Sequence, residues 1–127
     1  MNKLEYIPGD LATWLGRKVR IDGVIVDPNT KQIDYYEIAD TGSESVFQGE
    51  DLKPIKLTRT ILKKNGWKSI NGKYALKIKN ANYVVLEFTE DGIYTYINEN
   101  TMLFTIKYIH ELQNLLYALH IDSNLKI

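Results

Sequence analysis

The sequence predicts an α+β fold, and three features carry the prediction. Before residue 52, short alternating apolar runs are cut by frequent turn signals. From residue 73 to residue 106 the alternation returns in longer runs, and beyond it apolar residues recur every three or four positions. A period of two lines one face of a strand, and a period of three to four lines one face of a helix. A sheet with helices laid on one face buries both kinds of apolar surface.

In chain order, Pro8-Gly9-Asp10 is a turn, and Gly16 is placed to stop a single helical turn that begins after Asp10 and carries Leu11, Trp14 and Leu15. Arg17 to Val26 reads as a strand whose alternation breaks at Asp22-Gly23, as a bulge or a tight hairpin would. Asp27-Pro28-Asn29-Thr30 is a turn, and Gln32 to Ile38 is a second strand. Asp40-Thr41-Gly42-Ser43 is another turn, and Ser45 to Gln48 forms a short strand around Val46 and Phe47. Such short strands suggest a small curled sheet or barrel.

Leu52 to Thr58 reads as a connector. Thr58 then caps a helix running to about Asn65. Leu57 and Leu62 are spaced as a hydrophobic staple, Gly66 suits the left-handed position after the helix, and Trp67 can fold back onto Leu62. A four-stranded antiparallel meander follows, with strands at Lys73 to Lys79, Tyr83 to Phe88, Ile93 to Ile97 and Thr101 to Ile106. Tyr94 and Tyr96 fall on the face opposite Ile93 and Ile97. The chain continues into a helix with Ile109, Leu112, Leu116 and Leu119 on its apolar side and Glu111, Gln113 and Asn114 opposite. The division expected is a β-rich part over 1–57 and a helix–meander–helix part over 58–127.

Of the 127 residues, 44% are hydrophobic and 25% charged, a globular rather than a disordered composition. The absence of cysteine excludes disulfides, a thiolate nucleophile and cysteine-ligated metal sites. The opening residues show no basic stretch followed by an apolar run, and no segment is long and apolar enough to span a bilayer, so a cytoplasmic protein is expected.

Sixteen basic and sixteen acidic residues give a formal net charge of zero, but they are unevenly placed. Residues 53–79 hold nine bases and no acid, between segments of net charge −5 (1–52) and −4 (80–127). This basic stretch is the first functional candidate. Lys56 and Arg59 flank the cap residue Thr58, where cations oppose the helix dipole unless an anion is bound. An anion site is expected from Lys56, Thr58, Arg59, Lys73 and Lys77, with Tyr94 and Tyr96 available for stacking on a base. The competing reading is a solvated lysine face that serves solubility.

No catalytic constellation is visible. His110-Glu111 is not followed by a second histidine at position 114, which is asparagine, so the zinc-protease pattern fails. His110 is expected on the helix surface, and His120 near the helix C-terminus. The glycines form no phosphate loop and no nucleophile elbow. No enzyme activity, metal or cofactor is expected.

Two phrases carry a resemblance. Leu52-Lys53-Pro54-Ile55-Lys56-Leu57-Thr58 with Ile61-Leu62-Lys63-Lys64-Asn65-Gly66-Trp67, and the run from Tyr108 to Leu119 (Y-I-H-E-L-Q-N-L-L-Y-A-L), resemble phrases of a family of small uncharacterised proteins of gut bacteria, their prophages and phages. The resemblance spans roughly residues 50–120. It implies an SH3-like barrel for the N-terminal part and a phage or prophage accessory setting. The family usually carries acidic residues after the threonine cap, where this chain has Arg59 and Thr60, and often Thr-Gly after Ala-Leu, where it has His120 and Ile121. The setting implies binding rather than catalysis, with immune evasion as its purpose. Three partners are expected in order of preference: an anionic, nucleotide-like small molecule held at a subunit interface of a homo-oligomer, a host protein that is inhibited or adapted, and a nucleic acid. The zero net charge counts against the third.

Overall fold

A computed structural model describes residues 6–38, 44–47 (backbone only), 52–78, 82–98, 100–123 and 125–127. The expected Asp40–Ser43 turn lies outside the described residues, as do Asn80 and Ala81 between the first two expected strands of the meander. The chain forms two compact units, Met1–Ile55 and Lys56–Ile127. The sequence reading placed the division after Leu57. Leu57 is instead a buried residue of the second unit, where its amide donates to the Lys107 carbonyl at 3.0 Å.

The first unit is a five-stranded antiparallel sheet. Its strands are β1 (Leu11–Trp14), β2 (Arg17–Val26), β3 (Ile33–Ile38), β4 (Glu44–Phe47) and β5 (Leu52–Pro54), in the order β4-β3-β2-β1-β5. Two expectations are corrected here. The segment after Asp10 is a strand and not a helical turn, because Leu15 and Gly16 both take positive φ (51° and 80°) and make a two-residue hairpin that sets Trp14 opposite Arg17. The expected connector contains β5, which pairs with β1 at the sheet edge, a position where proline is tolerated. The break at Gly23 is a register shift within one continuous strand, the bulge rather than the hairpin. The core gathers Tyr6, Ala12, Val19, Ile21, Tyr36 and Ile38. Tyr6 and Tyr36 meet edge to face at 5.6 Å, and the Tyr6 amide donates to the Tyr36 hydroxyl at 3.3 Å.

Asp10 is 2% exposed and ties off the turn before β1: its carboxylate accepts from the Ile7 amide at 2.9 Å. Burial pushes its pKa from 3.8 up to about 6, and the Ile7 hydrogen bond only partly opposes this. The folded state therefore holds the proton more tightly than the unfolded state. The stability this confers is complete below about pH 4 and is lost as the pH rises through about 6. Asp10→Asn keeps an acceptor for Ile7 and carries no charge. It is expected to melt above the parent at pH 8 and alongside it near pH 4, as followed by circular dichroism; parallel melting curves at both pH values would contradict the assignment.

The second unit contains α1 (Arg59–Lys64), β6 (Lys68–Ile70), β7 (Lys73–Lys77), β8 (Tyr83–Thr89), β9 (Gly92–Ile97), β10 (Thr101–Ile106) and α2 (Ile109–Ala118). Its sheet is an antiparallel meander in the order β10-β9-β8-β7-β6, with five strands where four were expected. The additional strand, β6, is turned into β7 by Asn71-Gly72, both at positive φ (52° and 82°). One face of the sheet buries Tyr74, Val84, Leu86, Ile93, Thr95 and Ile106. From α2, Ile109, Leu112, Leu115 and Leu116 are buried.

Helix α1 ends as the sequence implied. Gly66 (φ 85°) takes the left-handed position, and the amides of Gly66 and Trp67 donate to the carbonyls of Lys63 (3.2 Å) and Leu62 (3.0 Å). Helix α2 ends by the same device, with His120 (φ 59°) in the glycine position and the Ile121 amide on the Leu116 carbonyl at 2.8 Å. Asn65 ties α1 to the end of the chain. Its carboxamide accepts from the Lys126 amide at 2.7 Å and donates to the Lys126 carbonyl at 2.8 Å, as a neighbouring strand would. Leu125 beside it is buried.

Candidate anion-binding groove

Three segments of the second unit meet around a groove of about 920 Å³: residues 56–59 leading into α1, the β8–β9 hairpin, and residues 107–108 leading into α2. The first and third are held together by backbone pairing between Lys56 and Tyr108 and by the Leu57 amide on the Lys107 carbonyl. The third is fixed again by Glu111, whose Oε1 accepts from the amides of Lys107 (2.8 Å) and Tyr108 (2.9 Å). That is the return half of a capping box. It gives the His-Glu pair of the sequence a structural role.

The groove collects Lys56, Arg59 and Lys107 together with the rings of Phe88 and Tyr108. None of the three cations is ion-paired with any described residue. The Arg59 guanidinium lies 4.5 Å above the Phe88 ring centroid, a cation–π placement that orients the group and leaves its N–H edge for an acceptor. Glu90 and Thr89 of the hairpin add a carboxylate and a hydroxyl to the lining. Thr58 also lines the groove, but its hydroxyl already accepts from the Ile61 amide at 3.3 Å, so its part is to cap the helix. With α1 only six residues long, the charge available to an anion comes from side chains.

The other expected residues lie elsewhere. Lys73 lines a separate hollow, with its Nζ 5.8 Å from the Tyr96 ring centroid. Tyr96 donates its hydroxyl to Glu87 at 3.2 Å; partial desolvation first, and then the Glu87 carboxylate, raise its pKa above the ordinary phenol value. The Tyr94 hydroxyl reaches Asp91 at a long 3.5 Å. Lys77 lines a third pocket with Trp67, Leu116 and Leu125. The convergence of Lys56 and Arg59 with Lys73 or Lys77 is therefore replaced by convergence with Lys107. Sequence reasoning missed Lys107 because it lies outside the basic stretch, and only the Lys56–Tyr108 pairing brings it in.

His110 is 3% exposed, not a surface residue as expected, and Gln113 is equally buried. Burial lowers the His110 pKa against the opposing pull of Glu111, so the neutral ring is favoured. The His110 ring stacks on Tyr108 at 6.0 Å, supporting the aromatic wall from behind. Among the described residues, no cluster of histidine, aspartate and glutamate could hold a metal ion. No helix among them is long and apolar enough to cross a membrane.

Fold and groove together define a two-unit α+β protein with a basic, aromatic-walled groove in its second unit. No family model, curated protein or solved structure matches the chain.

Proposed function

We propose that the protein is a non-enzymatic binding protein that captures a nucleotide-like anion in the groove of its second unit, acting in the cytoplasm as a phage or prophage accessory in immune evasion. The observation that carries this reading is the meeting of Lys56, Arg59 and Lys107 beside Phe88 and Tyr108. Cations that pair with no described carboxylate attract phosphate, rings offer a stacking surface to a base, and Glu90 can accept from sugar hydroxyls or base amines. The groove is at the upper end of the roughly 300–1,000 Å³ common for small-molecule sites, enough for a nucleotide.

Thermal melting against mononucleotides, cyclic dinucleotides, ADP-ribose and short oligonucleotides tests the proposal. A ligand at about 100 times its Kd stabilises the folded state by about 2.7 kcal/mol. One small nucleotide is expected to raise the Tm clearly at moderate salt, and Arg59→Gln with Lys107→Gln to abolish the rise. No shift with any small anion would sink the proposal. A rise confined to oligonucleotides and lost steeply with salt would favour nucleic acid instead.

A second reading rests on the first unit. Its strand order, a four-strand meander with β5 added beside β1, supports reading it as an SH3-like barrel. Such a barrel suits an adaptor or inhibitor that binds a host protein. Under this reading, nucleotides leave the melting curve unchanged while the first unit alone retains the partner.

A further inference from the structure

The outer face of the second unit's sheet holds a hollow of about 340 Å³ that the groove does not use. Its floor is Ala75 and Val85, directly opposite one another on β7 and β8. Ala75 presents only a methyl between the larger side chains of Ile70 and Tyr83, which leaves the depression. Val85 is 5% exposed although it alternates with the inward-facing Val84 and Leu86, so the floor is sheltered.

The rim is polar at Lys73, Asn98 and Asn100. Lys73 extends over the ring of Tyr96, and no described carboxylate pairs with it. Glu87, on the same face, accepts from the Tyr96 hydroxyl. Asn98 forms a fixed wall: it holds a positive φ of 62°, its Oδ1 accepts from the Tyr83 amide at 2.8 Å, and its Nδ2 donates to Asn82 at 2.8 Å.

We infer that this hollow binds a small organic carboxylate with a compact apolar or aromatic body. The body rests on Ala75 and Val85, and the carboxylate meets the Lys73 ammonium in a charge-assisted hydrogen bond. The volume sits near the lower end of the roughly 300–1,000 Å³ of small-molecule sites, which suits one ring or a short branched chain. The Lys73 ammonium, 5.8 Å from the Tyr96 ring centroid, stands at the rim of the hollow and keeps N–H donors for a carboxylate.

The test is ligand-detected NMR followed by calorimetry, using benzoate, phenylacetate, indole-3-acetate and 3-methylbutanoate, each against its neutral amide. At least one carboxylate is expected to bind with a Kd of about 1 mM or tighter, and its amide about tenfold more weakly. Lys73→Met, a change at a half-buried rim position, is expected to erase the difference between acid and amide. Ala75→Phe fills the hollow and is expected to abolish binding while leaving any nucleotide response of the groove intact. Absence of binding by all four carboxylates overturns the inference, as does binding unchanged in Lys73→Met. Binding lost on Arg59→Gln instead would place the carboxylate in the groove and overturn it equally.

Discussion

Gly92→Ala is expected to lower the melting temperature of the second unit by roughly 10–20 °C, corresponding to a loss of about 2–4 kcal/mol. Two costs add at this position. Gly92 holds a φ of 131°, a conformation that L side chains rarely adopt, which alone costs on the order of 1–3 kcal/mol. A Cβ built on it would stand 2.7 Å from the Thr105 Cγ2 and 3.3 Å from the Ile106 carbonyl, so β10 would have to move. Overpacking of this kind costs about 1–3 kcal/mol. Because Gly92 closes the β8–β9 hairpin and lines the groove, nucleotide binding should weaken in the same variant. Scanning calorimetry would settle the matter: a fall of less than about 5 °C would mean that the hairpin relaxes freely and that its geometry is not fixed by glycine.

Thr95→Val is expected to destabilise the second unit by about 1–3 kcal/mol, and Thr95→Ser by less than about 1 kcal/mol. Thr95 is fully buried at the point where the β9–β10 register shifts. Its hydroxyl donates to the Phe104 carbonyl at 2.6 Å and accepts from the Phe104 amide at 3.1 Å. The side chain thus takes the place of the ladder bonds that the bulge removes. Valine has the same shape and leaves both Phe104 groups without that partner, whereas serine keeps both bonds and loses only a methyl. Urea denaturation of the three proteins separates these contributions. Equal stability of the valine and serine variants would show that packing, not the hydroxyl, holds the bulge.

The parts that local chemistry decides were legible before any coordinates. Helix α1 carries its own instructions in Thr58 and Gly66, which the structure uses as cap and left-handed stop, and in Leu57 and Leu62, both of which are buried. The alternation around Tyr94 and Tyr96 placed them opposite the buried Ile93. Strand β6 was missed although Asn71-Gly72, among the strongest two-residue hairpin signals, stood in plain view. The run Lys68-Ser69-Ile70 before it lies on the exposed surface and so lacks the apolar pattern by which strands are recognised. Strands β1 and β5 were hidden for another reason. Leu15-Gly16 is an uncommon choice for a turn with two positive φ angles, and a three-residue edge strand containing proline acquires its identity only from its partner. The site divided in the same way. The run Lys56-Thr58-Arg59 was found because it is local. Lys107 and the grouping of Lys73 with Tyr96 depend on which strands are neighbours, and nearness in sequence does not encode that.

The pairing of Asn65 with Lys126 bears on the order in which the protein can form during synthesis. The first unit has its last strand, β5, once residue 54 is made, and every strand pairing of its sheet lies within that length. Helix α1 is made next, yet its neighbouring segment finds its bridge only at Tyr108, and its C-cap residue finds its partner only at Lys126. A six-residue helix is too short to persist alone. Its fewer than two turns of backbone and the basic side chains around them must wait for the rest of the meander and α2. The groove therefore cannot be assembled until residues 107–111 have been made, so products truncated before them would carry the basic stretch without the site.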